Sequence, residues 1–431
     1  MVKKYLPQNV YEAALERIVF TFKEFDRICV SFSGGKDSGV VLNLFLDYMR
    51  KHNIKRKIGV LFIDLEAQYT MTIEYIKKML TENGDLIEPY WVCLPINLRN
   101  AVSMYEPFWC CWEPGLEDRW VRKMPDDFPI IKDQKFFPFY RYRMEFEEFV
   151  PEFNKWFAQG KKSASVVAIR TDESLNRFRT IASASKERYK NFAWTTVVDE
   201  NVVNVYPIYD WTVEDIWIAN GKFGWKYNKL YDLFYKAGVP LSKMRICQPY
   251  GDDQRIGLDL FRVVEPDTWA KVVNRVSGAN FGNIYCGTKA LGYRQVQLPP
   301  GHTWKSYTKL LLASLPPDVR ANYIDRFKKF MLYWYRNGCG IADEEFDKLP
   351  DCAVVTDELS TRGKKNKKVV RYKRIPDHID GDFESKHLGP TWRRMAMCIL
   401  KNDYLCKGLS FGQTKQQAER QKQLLEKYRN I

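Results

Sequence analysis

The chain has 431 residues, of which 45% are hydrophobic, so it is long enough to fold into two or three compact units. Its 68 Lys and Arg residues outnumber its 53 Asp and Glu residues, and the formal charge of +15 favours polyanionic partners or serves only to keep a basic surface solvated. No apolar run approaches the roughly 20 residues of a membrane span, and no signal peptide follows Met1, so we expect a cytoplasmic protein without a membrane partner.

The first predicted helix begins at Asn9, where the segment Asn-Val-Tyr-Glu has the spacing of a capping box. A strand is predicted over residues 27–32 and a second helix from about Ser38. The turn between them is S-G-G-K-D-S, residues 33–38. Glycines let an anion approach the backbone, while the N–H groups and dipole of a helix start point at the same place. The segment therefore predicts a phosphate-binding loop.

Two later segments place acidic and basic residues at strand ends. A buried strand is predicted over residues 58–64 and ends in Asp64, before a helical pattern through residue 80. A short strand over residues 165–169 leads into R-T-D-E-S-L-N-R, residues 170–177. If Thr171 or Asp172 caps a helix there, the Glu and the last Arg of this segment share one face. Because open α/β sheets bind ligands at the carboxyl ends of their strands, these segments predict a charged crevice.

These motifs, in this order, resemble those of one superfamily. Residues 33–38 match at every position the S-G-G-x-D-S loop of the PP-loop ATP pyrophosphatases, whereas the Walker A and dinucleotide fingerprints do not fit. Residues 170–177 are similar to the R-x-x-E-S-x-x-R signature of the phosphoadenosine-phosphosulfate (PAPS) reductase branch. Residues 206–217 and 227–231 resemble two further segments of that branch. The resemblance covers residues 9 to about 250 and implies a Rossmann-like, adenine nucleotide alpha hydrolase-like (HUP) α/β fold with a parallel sheet.

The resemblance also implies a site for ATP and Mg²⁺. It gives catalytic roles to Lys36, Asp37, Arg170 and Glu173, makes Asp37 the metal ligand, and places adenosine at Asp64. The nucleotide-binding residues that it implies are Ser31, Ser33, Gly34, Gly35, Lys36, Asp37, Ser38, Asp64, Arg170, Ser174 and Arg177. The reductases follow the acid at the position of Asp64 with Thr-Gly, and this chain has Leu-Glu there, so we expect a rebuilt substrate end of the site.

The domain organisation is predicted from the change in pattern along the chain. A PP-loop nucleotide-binding domain is expected over residues 1–250, with an insertion at about 112–160, and a mainly helical accessory domain over residues 251–431. Residues 360–375 contain eight Lys and Arg residues and predict a basic flexible loop that contacts nucleic acid or is merely solvated.

The second half of the chain resembles a narrower group. Residues 238–247 and the element Leu-Lys-Asn-Asp-Tyr, residues 400–404, are similar to segments of uncharacterised bacterial PAPS-reductase-like proteins, including the prophage immunoglobulin-binding regulator type. This resemblance implies a ParB-like protein as a further partner, besides an adenine nucleotide and nucleic acid.

Ten cysteines lack the dense spacing of a disulfide scaffold, so we expect most to be reduced and buried. The reductases take their nucleophilic thiolate from E-C-G-x-H, and its nearest counterpart is Cys339, which lacks the Glu and the His. Cys110, Cys111 and Cys247 supply three of the four thiolates that an iron–sulfur cluster needs, and no C-x-x-C pair suggests zinc. We therefore expect neither cofactor.

These observations favour an adenylating enzyme that cleaves ATP at the α-phosphate, transfers AMP to an acceptor and releases pyrophosphate. Two alternatives stay open: a thiol-dependent sulfonucleotide (PAPS or APS) reductase, and a non-catalytic nucleotide-sensing regulator that works with a ParB-like partner on DNA or gene expression. The sequence identifies neither the acceptor nor the oligomeric state.

Overall fold

The structure is a computed structural model that describes residues 6–103, 105–182, 186–251, 258–279, 298–360, 366–379, 381–385 and 389–409. The described residues fall into two compact units. The first, called the sheet unit below, is drawn from residues 1–98 and 110–275, and the second, called the C-terminal unit, from residues 99–109 and 276–431. None of the helices in the described ranges combines the length and the hydropathy that crossing a membrane requires.

The sheet unit alternates strands and helices. Its helices are α1 (Val10–Glu24), α2 (Lys36–Lys51), α3 (Thr70–Glu82), α4 (Phe146–Ala158), α5 (Leu175–Ala182), α6 (Val213–Phe223), α7 (Leu230–Lys236), α8 (Leu258–Val264) and α9 (Pro266–Arg275). Its main strands are β1 (Arg27–Ser31), β2 (Ile58–Ile63), β3 (Ile87–Val92), β6 (Ser163–Val166), β7 (Thr195–Asp199) and β8 (Val202–Val205). Two short strands, β4 (Asn97–Arg99) and β5 (Phe108–Cys110), lie where the chain leaves the sheet unit and returns to it.

Six strands form one sheet in the order β3-β2-β1-β6-β8-β7. All neighbours in this sheet run parallel except β7, which pairs antiparallel with β8. Strand β1 is central, and its Val30 lies beside Val60 of β2 and Val166 of β6. Because β1 has a strand on each side and helices packed against it, it reads as a continuous apolar run rather than an alternating one. This arrangement confirms the predicted Rossmann-like α/β class.

Local sequence signals start and end several of these elements. The predicted capping box at Asn9 is confirmed, since the Glu12 N–H donates to the Asn9 side chain at 2.9 Å and the Asn9 N–H donates to the Glu12 carboxylate at 3.3 Å. The predicted insertion also has a packed interior: Phe137 is 1% exposed and its ring lies 5.5 Å from Phe149 and 4.9 Å from Trp156. Phe137 and Phe149 thus form core around α4, whereas Phe136 and Tyr142 of the same segment are exposed.

The sheet unit extends past the boundary at about residue 250 that the sequence predicts. Glu265 accepts a hydrogen bond from the Thr70 N–H at 2.7 Å, which places its carboxylate on the N-terminus of α3. Arg275 forms a buried ion pair with Glu66 at 2.7 Å. Helices α8 and α9 are therefore tied to the segment that follows β2. Composition could not reveal this, because both helices carry the aromatic, helical pattern of the residues that follow them.

The C-terminal unit combines helices with a small sheet. Its described helices are α10 (Trp304–Ala313), α11 (Pro317–Arg336), α12 (Gly381–Ser385) and α13 (Trp392–Leu400), and its strands are β9 (Cys339–Gly340), β10 (Ala353–Leu359) and β11 (Lys368–Tyr372). The strands pair antiparallel in the order β10-β11-β9. The helices confirm the predicted helical module, whereas the sheet was not predicted.

The basic segment at 360–375 is only partly a loop. Residues 361–365, with three of its basic side chains, lie outside the described residues, but Lys368–Tyr372 is strand β11. Val370 and Tyr372 are 0% and 2% exposed in the core of this unit, and Arg371 pairs with Glu358 at 2.5 Å. The prediction of a flexible loop is wrong here because it counted charges and overlooked the apolar residues between them.

Candidate nucleotide-binding site

The S-G-G-K-D-S loop connects the central strand β1 to helix α2. The helix begins at Lys36, earlier than the predicted Ser38, with Gly35 as its N-cap. Gly34 has a φ of +73°, and a Cβ atom at this position would lie 2.8 Å from the Ile76 side chain. Both the backbone conformation and the lack of space therefore require glycine here. Ser31, at the end of β1, precedes the loop.

Hydroxyl groups of the loop converge near Gly35. The Ser33 and Ser38 hydroxyls lie 3.1 Å apart, and the Ser38 hydroxyl donates to the Gly35 carbonyl at 3.1 Å. The Asn228 amide donates to the Gly34 carbonyl at 3.2 Å and to the Thr72 hydroxyl at 2.9 Å, which fixes the loop from outside. These contacts hold the loop in one shape, with the Ser33 and Ser38 hydroxyls next to each other.

A charged triad of Lys36, Asp37 and Arg170 lies at the start of α2. The Lys36 ammonium donates to Asp37 Oδ2 at 2.8 Å, and Arg170 Nε donates to Asp37 Oδ1 at 2.5 Å. Lys36 and Arg170 are 6% and 3% exposed. Burial acts to raise the pKa of Asp37, but the two neighbouring cations outweigh it and hold that pKa below its usual value. The triad thus carries two buried positive charges against one negative charge.

One buried nitrogen of this triad lacks a hydrogen-bond acceptor among the described residues. Arg170 Nη1 is buried without a hydrogen-bond partner in the part of the chain that the structure describes. The nearest carboxylate oxygen paired with it, Oδ2 of Asp172, is 3.8 Å away, which is beyond hydrogen-bond distance. Since leaving a buried charged donor unsatisfied is costly, Nη1 marks a place for an anionic ligand.

Glu173 and Arg177, which were predicted to share one helix face, form an ion pair at 3.6 Å, although Glu173 precedes the helix. The predicted helix cap at Thr171 or Asp172 is wrong. Helix α5 begins at Leu175, and the Ser174 hydroxyl accepts the Arg177 N–H at 3.3 Å, as an N-cap side chain does. Thr171 instead donates its hydroxyl proton to the Tyr209 carbonyl at 3.0 Å. Thr171 and Asp172 are also residue types that favour the N-cap position, and their spacing alone did not distinguish them from Ser174.

Asp64 does not face an open crevice. Its side chain is 0% exposed, Oδ1 accepts the Glu66 N–H at 3.0 Å and an Arg122 guanidinium N–H, and Oδ2 accepts the Trp91 indole N–H at 3.0 Å. The predicted contact of this carboxylate with adenosine does not fit this geometry, because protein donors enclose the carboxylate. Asp64 holds the insertion against the end of β2.

Glu66 has a related role that the sequence reasoning missed. It has a φ of +63°, is 0% exposed, and its carboxylate accepts the Trp112 N–H at 2.8 Å and the Val121 N–H at 3.0 Å. Arg275 supplies two more donors to the same carboxylate. The only feature of the sequence that pointed to a special role for Glu66 was the departure from Thr-Gly after Asp64.

Of the four cysteines singled out from the sequence, Cys110 and Cys111 are buried, whereas Cys247 and Cys339 are partly exposed. Burial raises the pKa of Cys110 to about 11 and raises that of Cys111 above its usual value. The Cys111 thiol donates to the Leu94 and Ile96 carbonyls at 3.6 and 3.5 Å. Cys339 lies opposite Val370 in the small sheet of the C-terminal unit. In the described ranges, no group of three His, Cys, Asp or Glu side chains could hold a metal ion.

Comparison with known proteins gives two family models and one close relative. A model described as a phosphoadenosine phosphosulfate reductase domain matches residues 27–87 and 141–237, and one described as a domain of unknown function (DUF3440) matches residues 238–420. The "Uncharacterized protein YbdN" of Escherichia coli (strain K12) is 42% identical over 415 residues, which cover 95% of this chain and 92% of that protein.

Two solved structures are also similar. PAPS reductase from Candida auris, in a phosphate complex, covers 53% of this chain and 94% of its own at 11% identity and a TM-score of 0.26. FMN adenylyltransferase from Candida glabrata, in complex with FMN and the ATP analogue AMPCPP, covers 53% of this chain and 64% of its own at 14% identity and a TM-score of 0.31.

Proposed function

The chain belongs to the same family as the uncharacterized protein YbdN, and part of it matches the phosphoadenosine phosphosulfate reductase domain. We propose that its sheet unit binds ATP at residues 33–38 and cleaves it at the α-phosphate. AMP would pass to an acceptor, and pyrophosphate would leave. The Lys36–Asp37–Arg170 triad carries this proposal, since two buried cations share one carboxylate and Arg170 Nη1 has no hydrogen-bond acceptor in the described chain.

An anionic ligand satisfies these groups. A phosphate oxygen supplies the acceptor that Arg170 Nη1 lacks and balances the excess charge of the triad. The adjacent α2 N-terminus adds N–H groups and the positive end of a helix dipole, which favour an anion at the same place. Glu173 and Arg177 follow Arg170 in the segment between β6 and α5, and we assign this ion pair to binding the acceptor.

In the proposed reaction, a nucleophile of the acceptor attacks the α-phosphorus. A new bond forms to this phosphorus, and the bond to the oxygen that bridges the α- and β-phosphates breaks. That oxygen keeps the electron pair and leaves with pyrophosphate, and the proton of the nucleophile passes to solvent. Lys36 and the Ser33 hydroxyl stabilise the charge that develops on pyrophosphate, because donors that are already fixed in place need little rearrangement.

Residues 33–38 do not form a site for a resident Mg²⁺ ion. The loop offers one carboxylate, Asp37, and both of its oxygens already accept hydrogen bonds from cations. Protein sites for Mg²⁺ usually combine one or two carboxylates with water and substrate phosphates. We therefore treat Mg²⁺ as part of the Mg·ATP substrate and assign Asp37 to positioning Lys36 and Arg170.

The test is incubation of the protein with ATP labelled at the α-phosphate, with water as the acceptor. We expect AMP and pyrophosphate above the level of a Lys36→Met variant. Lys51→Met, at the exposed far end of the same helix, is the matched control and should behave as the wild type. Labelled ADP in place of AMP would contradict α-phosphate cleavage. Tight ATP binding without products would instead favour the nucleotide-sensing regulator.

A further inference from the structure

The hydroxyl of Tyr231 lies against the loop although the residue is far away in sequence. Tyr231 belongs to α7 and is 3% exposed. Its hydroxyl oxygen accepts the Lys36 N–H at 3.0 Å. Lys36 is the first residue of α2, so this N–H has no partner within the helix and is one that a bound phosphate would otherwise accept.

The same oxygen belongs to a group of three hydroxyls around Gly35. A Cβ atom placed on Gly35 would lie 3.3 Å from Ser33 Oγ, 3.6 Å from Tyr231 Oη and 3.9 Å from Ser38 Oγ. Ser33 and Ser38 come from the loop itself, whereas Tyr231 reaches it from a separate helix. The space above Gly35 is therefore bordered by hydroxyl donors from two parts of the chain.

The Tyr231 hydroxyl keeps a proton that it can donate. Burial, followed by the nearby Asp37 and Cys247, raises the pKa of Tyr231 above its usual value, so the phenol stays protonated at neutral pH. The oxygen accepts the Lys36 N–H, and its own proton has no acceptor among the residues that the structure describes. A phenol oxygen that accepts one hydrogen bond and still has its own proton is suited to donating that proton in a hydrogen bond to an oxyanion.

The ring is held in place by its neighbours. Trp217 meets it edge-on at a centroid distance of 5.3 Å, and Phe234 at 6.2 Å. Asn228, three positions earlier, is the residue whose amide binds the Gly34 carbonyl. The segment that carries Tyr231 is thus attached to the loop at two points, which fixes the hydroxyl relative to the loop backbone.

We propose that Tyr231 is a phosphate-binding residue of the loop, whose hydroxyl accepts the Lys36 N–H and donates to an oxygen of the nucleotide's β- or γ-phosphate. The hydroxyl thereby links the N-terminus of α2 to the ligand through two consecutive hydrogen bonds. It also supplies a neutral donor beside the charged triad. This inference rests on the proposed binding of ATP to the loop. A different reading, in which the hydroxyl merely occupies the phosphate position, predicts the opposite effect when it is removed.

The test compares ATP, inorganic pyrophosphate and adenosine by calorimetry with the wild type and Tyr231→Phe. One lost hydrogen bond to a charged group predicts that affinity for ATP and pyrophosphate falls about 10- to 100-fold. Affinity for adenosine should not change. Tyr227→Phe is the matched control, because that hydroxyl belongs to the same segment but donates to Asp232 at 2.8 Å. Unchanged or tighter pyrophosphate binding by Tyr231→Phe would overturn the inference.

A second variant guards against misfolding, since Tyr231→Phe leaves the buried Lys36 N–H without an acceptor. O-methyltyrosine introduced at position 231 keeps the acceptor oxygen but has no proton to donate. We expect it to lose pyrophosphate binding and to keep adenosine binding, and retention of both would overturn the inference. If the wild type itself binds neither ATP nor pyrophosphate, the proposed function fails. If the wild type and both variants bind pyrophosphate equally well, only the role of Tyr231 is contradicted.

Discussion

Replacing Asp37 by Asn tests the charged triad directly. Asn keeps the size of the side chain but removes the only negative charge between Lys36 and Arg170, which are 6% and 3% exposed. Removing one partner of a buried ion pair typically costs about 3–5 kcal/mol, because the remaining charge is left without compensation. Asp37→Asn should therefore lower the free energy of unfolding in urea by about 3–5 kcal/mol. Asp85→Asn, on the exposed surface, should change it by less than about 0.5 kcal/mol.

The same variant separates two roles of Asp37. If the carboxylate positions the two cations, ATP supplies the missing negative charge, and saturating ATP should raise the melting temperature of Asp37→Asn more than that of the wild type. Pyrophosphate should also bind the variant without Mg²⁺ at least as tightly as it binds the wild type. A loss of stability below about 1 kcal/mol, together with loss of the Mg²⁺ dependence of ATP binding, would refute this reasoning and make Asp37 a metal ligand.

The remaining predictions concern pH, a buried ion pair and thiol reactivity. Because the pKa of Asp37 lies below its usual 3.8 in the folded state, its stabilising effect is complete above pH 3.8 and is lost as the pH falls further. Acid titration monitored by circular dichroism should show this loss in the wild type and not in Asp37→Asn. Glu66→Gln should destabilise the protein by about 3–5 kcal/mol in urea, because it removes the carboxylate charge from the buried ion pair with Arg275. A change below about 1 kcal/mol would contradict that role. Cys110 and Cys111 should resist iodoacetamide at pH 8 until urea unfolds the protein, because burial raises the pKa of both. Mass spectrometry measures the labelling, and a label on either cysteine in the folded protein would contradict their burial.

Local patterns predicted the loop and the strands β1 and β2 because their causes are local. Glycine at position 34 is required by the backbone conformation of one turn, and the continuous apolar run of β1 reflects its central place in the sheet. The helix start at Asn9 is likewise decided by residues within one turn of each other. Each of these signals can be read from neighbouring letters of the sequence.

The contacts that complete the site are not local, and the sequence did not reveal them. Tyr231 meets Lys36 across 195 positions, and Arg170 meets Asp37 across 133 positions. The resemblance to a family motif selected Arg170 as a candidate but did not reveal its partner. Asp64 showed the reverse error, because an acid at a strand end is compatible with a ligand contact and with the buried network that the structure shows.

The element Leu-Lys-Asn-Asp-Tyr, on which the resemblance of the second half partly depends, has a structural role in the C-terminal unit. The Asn402 amide donates to the Ala101 and Ser103 carbonyls at 3.2 and 2.7 Å, and its φ is +50°. The Tyr404 ring lies under the Arg99 guanidinium at 5.4 Å and meets Phe108 edge-on at 5.7 Å. These contacts explain why residues 99–109 fold with residues from 276 onward. A motif that binds backbone carbonyls of its own chain is no evidence of chemistry, so the case for a nucleotide site depends on the loop of the sheet unit.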